Sequence, residues 1–573
     1  MKPRVLHGVP ASRGLATGAS HAIHRVTFES PSAGVIAPAD EDPEGTVDRA
    51  LDQAAAELEQ LAARLRAEGH ADDAEIVSIG ALIAHDPVLR GQARAEAARS
   101  GHAAMAIIAV SEEHATSIEA IGDATLRERA ADVRQVGRRA AALAIGGKPG
   151  DNGNNGNASE PVILVAEELG PADITGLQSG QIAAGVAVKG GPNSHAAIVA
   201  RSFGIPLVLG VPREILEIED GTPLIVDGER AVVTVSPLPH DVNEVVVKMR
   251  RAAERRAALA SERSLPARTT DGTDILLLCN IASPEEAKLG LDAGAEGVGL
   301  LRTELPFLDF PSWPDEKAHA ATLQPMFDQL EGRLTTVRVL DFGGDKLPPF
   351  LASLGADEQG LPHRGLPALL STPDALSAQL RAILETGGRC RIRVLLPMVT
   401  SIREYERARA LLKEAAAEVG TDPPELGVMV ETPSAALLAD TLARDVDFFS
   451  IGSNDLTQHV LGLNRRDPNA RPALAAHPSI LTLIGRVARA GRDHGKPVAL
   501  CGEAAADPLV LPLIIGAGVR AVSVSPASLD TTRARIRGLS REDCDDAYRH
   551  AVRMQSVVEV WDLVKGSNFP DMP

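Results

Sequence analysis

The spacing of apolar residues predicts a helical segment in the first part of the chain. From Pro43 onward, apolar residues recur at alternating intervals of four and three, which is the pattern of one face of an amphipathic helix. These positions are Val47, Leu51, Ala54, Leu58, Leu61 and Leu65. Similar patterns predict further helices at about 72–85, 87–98, 102–117 and 123–146. Residues 21–147 are therefore expected to form an all-helical domain of packed hairpins.

Short apolar runs on both sides of this segment predict strands instead. The runs after residue 160 are Val162–Val165, Gly185–Val188, Pro206–Leu209, Pro223–Val226 and Ala231–Val235. The last two flank Asp227-Gly228, a hairpin signature. Residues 4–20 hold a short strand, Val5–His7, and are too few to form a domain, so this strand should join the same sheet. We therefore expect an α/β domain made of residues 1–20 and 148–240, with the helical segment inserted, and a linker helix at 241–262.

The second half of the chain shows a regular repeat of apolar runs separated by helical segments. The eight runs are Ile275–Cys279, Gly297–Leu301, Thr336–Leu340, Ile392–Pro397, Leu426–Val430, Asp447–Ile451, Pro497–Leu500 and Arg520–Val524. Eight β/α units over about 250 residues are typical of a TIM barrel. The predicted fold is thus a multidomain α/β chain that ends in a (β/α)8 barrel at residues 263–573.

Composition narrows the range of partners and compartments. The chain carries 58 Lys and Arg residues against 77 Asp and Glu residues, a net charge of -19, which argues against nucleic acid as a partner. Its 4 cysteines are widely spaced, so neither a zinc site nor a disulfide framework is indicated. No apolar run reaches the roughly 18 residues of a membrane span, and the first residues lack the apolar core of a signal peptide. We expect a cytoplasmic protein without membrane insertion.

The stretch from Gly190 to Arg201 carries the clearest candidate chemistry. Two glycines allow a tight turn, and Ser194 is suited to cap the helix that follows. His195 then lies in the first helical turn, beside backbone N–H groups that have no helical partner and favour an anion. The arrangement predicts an imidazole that carries a phosphoryl group. The alternative is a capped surface helix with an incidental histidine.

Functional side chains also cluster at the predicted ends of the barrel strands, where TIM barrels carry their chemistry. The residues at these ends are Asn280, Arg302, Glu304, Arg338, Asp341, Met398, Glu431, Asn454, Asp455, Cys501, Glu503 and Ser525. Guanidinium groups bind carboxylate and phosphate bidentately, and carboxylates bind hard cations such as Mg²⁺. The strand ends therefore predict a site for an anion and a cation, with ordinary polar loops as the alternative.

Several of these stretches resemble known motifs. Residues 190–206 resemble the phosphohistidine signature of the phosphoenolpyruvate-utilising enzymes. Further stretches are similar to motifs of the Enzyme I family, the phosphoenolpyruvate–protein phosphotransferases of bacterial sugar phosphotransferase systems. These stretches are Arg127–Arg134, Leu300–Glu304, Asp341–Lys346, Met429–Pro433, Ser450–Gln458 and Cys501–Glu503. The resemblance thus covers nearly the whole chain.

The resemblance implies a reaction and a set of roles. The family transfers the phosphoryl group of phosphoenolpyruvate to a histidine, here His195, and then to a histidine of the carrier protein HPr, as the first step of sugar uptake. It releases pyruvate. By the same resemblance the substrate is bound by Arg302, Arg338, Asn454 and Arg465, Mg²⁺ is bound by Glu431 and Asp455, and the enolate receives its proton from Cys501. The resemblance also implies a swivelling phosphohistidine domain, HPr docking on the helical insertion, and a homodimer formed by the barrel.

The chain departs from the family pattern at three places, one of which is an Asn/Gly-rich stretch at residues 150–157 that looks like a local addition. Asn193 stands where the family usually has threonine. In the stretch 361–367, Arg364 is kept, but Pro367 replaces a second arginine and is expected to disfavour helix at Leu366.

Two other functions stay open at this point. A pyruvate phosphate dikinase or phosphoenolpyruvate synthase relative would add a large ATP-binding domain, for which the sequence shows no Gly-rich phosphate loop. An Enzyme I-like regulator would bind a carrier without turning over, and only the altered stretch 361–367 supports that interpretation.

Overall fold

The structure is a computed structural model. It describes residues 3–22, 40–67, 71–120, 124–146, 161–170, 173–174, 182–192, 194–308, 310–342, 348–352, 364–463, 471–567 and 569. The chain divides into two compact units, an N-terminal unit of residues 1–254 and a barrel unit of residues 255–573.

An eight-stranded mixed sheet forms the base of the N-terminal unit. Its strands are β1 Arg4–His7, β2 Val9–Ser12, β3 Leu15–Ala22, β4 Val162–Ala166, β5 Ile182–Ala187, β6 Leu207–Leu209, β7 Pro223–Asp227 and β8 Val232–Val235. Their order is β1-β8-β7-β3-β4-β5-β6-β2, with β3 to β6 parallel and the other pairs antiparallel. The β7–β8 hairpin confirms the turn expected at Asp227-Gly228.

The first residues supply more of this sheet than the single strand expected from the sequence. Three strands, β1 to β3, come from residues 4–22. Gly14 permits the turn between β2 and β3, since it adopts φ +129° and a Cβ atom there would lie 2.8 Å from Pro206 Cγ. The prediction of one strand was too simple because Pro and Gly interrupt the apolar alternation that marks a strand.

The predicted helices lie between β3 and β4. Their bounds are Pro43–Ala67, Ala71–Ala84, Pro87–Ser100, Ala103–Glu119 and Ala124–Ala144. The apolar stripe of the first helix is buried as expected from Val47 to Leu61, with Val47, Leu51 and Ala54 at 0% exposure, and the Leu65 side chain lies outside the described residues. The unit also contains the helix His195–Ser202 and the 3-10 helix Arg213–Glu217. The helix Pro239–Ser261 runs across the division between the two units.

The barrel unit contains a closed barrel of eight parallel strands, which confirms the predicted fold. The strands are β9 Leu276–Ile281, β10 Gly297–Leu301, β11 Leu334–Arg338, β12 Arg391–Leu396, β13 Glu425–Val430, β14 Phe448–Gly452, β15 Val498–Cys501 and β16 Ala521–Val524. β16 pairs with β9 and closes the barrel. We call the C-terminal ends of these strands, with the residues that directly follow them, the barrel mouth.

Helices surround the barrel and bury its outer face. Their bounds are Pro284–Asp292, Glu316–Gln329, Pro349–Ala352, Gly365–Ser371, Pro373–Thr386, Ile402–Val419, Pro433–Leu437, Ala439–Leu442, Ser453–Leu461, Pro478–Asp493, Leu511–Ala517, Leu529–Gly538, Arg541–Ala551 and Val557–Gly566. Short 3-10 helices lie at Leu305–Phe307, Pro472–Ala476, Glu503–Ala506 and Pro526–Ser528. Among the described residues, no helix has both the length and the apolar character needed to span a bilayer.

The helix Gly365–Ser371 corrects one expectation. Pro367 was expected to disfavour helix at Leu366, yet Leu366 is helical and fully buried. A proline is tolerated in the first turn of a helix, because the N–H that it lacks would have no partner there. The first-turn position of Pro367 explains why the helix forms.

Candidate active site

The barrel mouth brings together most of the residues that the sequence analysis selected. They reach it in different ways: Arg338 and Cys501 end β11 and β15, Arg302 and Glu431 directly follow β10 and β13, and Asn454 and Asp455 lie in the first turn of the helix after β14. Parallel strands in a closed barrel place all of these ends on one side. The predicted clustering of these side chains at one end of the barrel is therefore observed, while their individual roles stay predictions.

His195 lies in the other unit, and its backbone begins the helix His195–Ser202. Ser194 caps this helix as expected, with its Oγ accepting a hydrogen bond from Ala197 N at 3.3 Å. Arg201 on the same helix donates to Pro192 O at 2.7 Å and to Ala11 O at 2.8 Å. These bonds tie the turn before His195 to strand β2. The His195 side chain, Asn193 and Arg465 lie outside the described residues.

Arg338 is buried at the mouth between two carboxylates. Its Nη2 lies 2.5 Å from Glu304 Oε1, and its Nη1 lies 3.0 Å from Asp341 Oδ2. Burial alone would lower the pKa of Arg338, but Glu304 and Asp341 more than reverse this effect and raise it. Arg338 is therefore a permanent buried cation whose planar fork faces the mouth.

Arg364 joins the same cluster, although the sequence analysis noted it only as a retained residue of an altered stretch. Its Nε and Nη2 lie 3.2 and 3.3 Å from the two oxygens of Asp341. Its Nη1 and Nη2 each lie 3.2 Å from an oxygen of Asp455. A single guanidinium thus bridges two carboxylates that follow different strands.

Glu431 is fully buried. Its Oε1 accepts a hydrogen bond from Met398 N at 2.7 Å, whereas its Oε2 has no hydrogen-bond partner. The pKa of Glu431 is raised to about 8, chiefly by burial and also by the nearby charges of Asp341 and Asp455, although Arg338 and the Met398 hydrogen bond oppose the rise. The site therefore holds a carboxylate that lacks enough positive charge around it.

Cys501 lies inside the mouth with 2% exposure. Ser450 Oγ donates to its Sγ at 3.2 Å. Burial raises the pKa of the Cys501 thiol to about 11, and this exceeds the opposing effect of the Ser450 hydrogen bond. The side chain is consequently a neutral thiol at physiological pH, which is the form able to give up a proton.

One buried polar residue at this site was missed by the sequence analysis. Gln379 accepts a hydrogen bond from Leu340 N at 2.9 Å and donates one to Thr303 Oγ1 at 2.9 Å. Thr303 in turn donates to Arg338 O at 2.9 Å. This network holds the backbone at Arg338 and just after it, at Leu340. The available signal was a glutamine on the apolar face of the helix Pro373–Thr386, where it has 0% exposure.

Three protein families match the chain in order. The family of the PEP-utilising enzyme, N-terminal, matches residues 7–129, and the family of the PEP-utilising enzyme, mobile domain, matches residues 158–231. The family of the PEP-utilising enzyme, PEP-binding domain, matches residues 256–541. The last of these matches spans the barrel, and the mobile-domain match contains His195.

Similar proteins extend along the chain. The phosphoenolpyruvate-protein phosphotransferases of Priestia megaterium and Bacillus subtilis are each 32% identical to it, over 98% of this chain and 99% of those proteins. The multiphosphoryl transfer protein of Rhodobacter capsulatus is 36% identical over 83% of this chain but only 57% of that protein. The chain therefore spans little more than half the length of that relative.

Proposed function

Because this chain belongs to the PEP-utilising enzymes and matches phosphoenolpyruvate-protein phosphotransferases along nearly its whole length, we propose that it transfers the phosphoryl group of phosphoenolpyruvate to His195. The group then passes to a histidine of an HPr-type carrier protein, pyruvate is released, and the cycle serves as the first step of sugar uptake by a phosphotransferase system in the cytoplasm. The observation that carries this proposal is the buried cluster of guanidinium and carboxylate groups at the barrel mouth. The full-length match to phosphotransferases favours this function over that of a dikinase.

The two halves of the reaction are assigned to different parts of the chain. Residues 1–20 and 148–240 form the swivelling phosphohistidine domain, and residues 21–147 form the insertion that docks the carrier. Residues 241–262 link this half to the barrel at 263–573, which binds phosphoenolpyruvate and forms the homodimer. The order of the three matched families supports this division. Since donor and acceptor lie in separate domains, His195 must move between them during the cycle.

Substrate binding uses the guanidinium groups of the mouth. Arg338 is buried and fixed by Gln379 and Thr303 through its backbone, whereas Arg302 is exposed and accessible to a ligand. Two such forks match the carboxylate and the phosphate of phosphoenolpyruvate. Asn454 adds an amide from the helix that follows β14, and Arg465 is the fourth proposed ligand. Transfer then depends on positioning and charge neutralisation rather than on covalent help from the barrel.

The residues at the mouth fit a divalent cation. Among the described residues, four carboxyl groups with at most 9% exposure lie at the mouth, those of Glu304, Asp341, Glu431 and Asp455, and three of them, all but Glu431, form ion pairs with Arg338 or Arg364. The excess of carboxyl groups over guanidinium groups, and the unpartnered Oε2 of the buried Glu431, suit Mg²⁺ held by Glu431 and Asp455. When bound, Mg²⁺ supplies charge stabilisation for the enolate and phosphoryl oxygens.

Cys501 is the proposed proton donor to the enolate carbon. Loss of the phosphoryl group leaves an enolate that becomes pyruvate only when its carbon gains a proton. The neutral thiol of Cys501 lies at the end of β15, inside the mouth, and is oriented by the Ser450 hydroxyl. This position supports a single direction of proton delivery.

Labelled phosphoenolpyruvate tests the proposal directly. Incubation with Mg²⁺ should place an acid-labile label on His195 with release of pyruvate, and addition of an HPr-type carrier should move the label from His195 to the carrier. His195→Ala should abolish labelling while the helix content and the melting temperature are retained. Label at another histidine in that variant contradicts the assignment. Labelling without turnover in the presence of carrier would instead support the regulatory alternative.

A further inference from the structure

The guanidinium of Arg364 is fully engaged by two carboxylates of the mouth. Both oxygens of Asp341 and both oxygens of Asp455 lie within 3.3 Å of its nitrogens. Asp341 is 7% exposed and Asp455 is 5% exposed. Paired forks of this kind are among the strongest charge-assisted hydrogen bonds, because each has two parallel donors and little competing water. Asp455 therefore already has a cationic partner.

The segment that carries Arg364 is tightly seated. Gly365 adopts φ +57°, and a Cβ atom there would lie 2.8 Å from Met398 Cβ and 3.2 Å from Asp341 Oδ1. Only glycine accepts both this conformation and this close approach. Met398 N in turn donates to Glu431 Oε1 at 2.7 Å. The backbone next to Arg364 thus packs against Met398, which donates to Glu431. This packing fixes the position of the Arg364 backbone within the site.

We propose that Arg364 is the resident counter-ion of Asp455 and that a divalent cation must displace it from this carboxylate in order to bind. The inference rests on the proposed assignment of Mg²⁺ to Glu431 and Asp455. A cation at Asp455 and a guanidinium on the same carboxylate repel each other strongly at low solvent exposure. Arg364 keeps Asp341 as a partner when it leaves Asp455. Arg364 therefore neutralises Asp455 in the metal-free mouth and weakens metal binding there.

Binding of Mn²⁺ to the intact protein measures this competition without any need for turnover. In Arg364→Gln, the dissociation constant for Mn²⁺, followed by electron paramagnetic resonance, should fall at least about tenfold, because a competing positive charge is removed. The matched control is Arg381→Gln. Arg381 pairs with Glu316 at 2.6 Å and Glu418 at 3.0 Å, away from the mouth, and its loss changes the net charge equally. This control should bind Mn²⁺ like the unmodified protein.

Thermal unfolding supplies a second readout. With a chelator present, Arg364→Gln should melt below the unmodified protein, because Asp341 and Asp455 lose their shared partner. Saturating Mg²⁺ should remove most of this difference in melting temperature. The rise in melting temperature on metal binding is therefore larger in the variant than in the unmodified protein. Arg364→Lys retains the charge but cannot bond both carboxylates as a fork, and its Mn²⁺ affinity should be intermediate.

The outcomes separate this inference from the function on which it rests. If Arg364→Gln binds Mn²⁺ no more tightly than the unmodified protein and Arg381→Gln do, the proposed competition between Arg364 and the metal for Asp455 is contradicted. If Arg364→Gln is too unstable to titrate, Arg364→Lys decides by the same comparison. Failure of all of these proteins to bind Mn²⁺ overturns the metal assignment itself, whereas labelling of His195 tests the phosphotransfer independently.

Discussion

Charged residues pair in both units, but in very different surroundings. In the helical segment, Arg134 bonds Glu112 at 3.0 Å and Glu119 at 2.6 Å, and these glutamate side chains are 58% and 41% exposed. At the barrel mouth, the side chains of Arg338, Glu304 and Asp341 are at most 11% exposed. Surface ion pairs lose little hydration free energy when they form and add little stability, whereas buried ion pairs have a large desolvation penalty. Because the buried cluster is costly to form, this difference supports the proposal that it binds substrate and metal rather than stabilising the fold.

Replacing the central arginine of each network should reveal this difference most strongly. Arg338→Met leaves the buried Glu304 without its guanidinium partner and leaves Asp341 with Arg364 alone, so we expect a loss of about 3–5 kcal/mol in the free energy of unfolding of the barrel unit and loss of turnover. Arg134→Met should cost at most about 1 kcal/mol. Both tryptophans, Trp313 and Trp561, lie in the barrel unit, so their fluorescence in urea reports that unit alone. Circular dichroism follows the helices of both units, so an unfolding transition that the tryptophans do not share reports the N-terminal unit. Similar losses in both variants would contradict the comparison.

The sequence predicts those features of the two units that depend on the local spacing of apolar residues. The helical stripe that includes Val47 and Leu51 and the eight barrel strands follow directly from the spacing of apolar residues. Strand ends then place Arg338, Glu431 and Cys501 at one mouth, because a parallel barrel admits no other arrangement. Ser194 was identified as a cap from its position alone.

Local periodicity does not predict which polar side chains contact each other within the mouth. Arg364 and Asp455 lie 91 residues apart, and their contact depends on how the barrel closes. Gln379 reaches Thr303 and Leu340 from a surrounding helix, so its role depends on helix packing rather than on any local pattern. Apolar periodicity specifies which face is buried, but it does not specify which buried polar groups meet.

Two buried cysteines of the barrel unit test whether a buried side chain affects turnover or only stability. Cys501→Ala should lower turnover to pyruvate by roughly 10²–10⁴-fold, the usual effect of losing a general acid. Cys544, with 0% exposure on the helix Arg541–Ala551, is the matched control: Cys544→Ala should lower the melting temperature and leave turnover nearly unchanged. The use of deuterated water with a stereochemically labelled substrate would show whether proton delivery to one face is lost. Wild-type rate and facial selectivity in Cys501→Ala would rule out its role.

A buried histidine makes the barrel unit sensitive to acid. His319 is 1% exposed, its Nε2 has no hydrogen-bond partner, and its ring packs against Phe307. Burial lowers the pKa of His319 to about 4. Between this value and the unfolded value of about 6.5, the unfolded chain binds more protons, so stability falls as the pH falls. The full effect, about 3 kcal/mol, is reached below pH 4.

His319→Leu should remove this part of the acid sensitivity. Urea unfolding followed by tryptophan fluorescence at pH 7 and pH 5 measures the difference in the barrel unit. We expect the unmodified protein to lose about 2 kcal/mol more than the variant between these two pH values. An equal loss in both proteins would show that other groups of the barrel unit cause its acid response.

The smallest expected effect concerns the helix His195–Ser202. Its first turn is capped by a neutral hydroxyl, whereas the side chains of the barrel mouth are held by buried ion pairs. Ser194 caps it through one hydrogen bond to Ala197 N, and no buried charge cluster is needed to present backbone N–H groups to a phosphoryl group. Ser194→Ala should cost about 1 kcal/mol of stability. Asp86 provides the matched control in the same unit, because it caps the helix Pro87–Ser100 by accepting bonds from Val88 N and Leu89 N, each at 2.8 Å. Asp86→Ala should cost a similar amount.

The two cap variants should differ in phosphotransfer, although they match in stability. If the first turn of the helix orients His195 and its phosphoryl group, Ser194→Ala should slow exchange with a phosphorylated carrier by up to about fivefold, the rate equivalent of about 1 kcal/mol. Asp86→Ala should exchange at the unmodified rate, since its helix begins elsewhere. The measurement is single-turnover exchange followed by quenching in base. Equal slowing in both variants would mean that general loosening of the N-terminal unit, rather than the cap beside His195, controls the transfer.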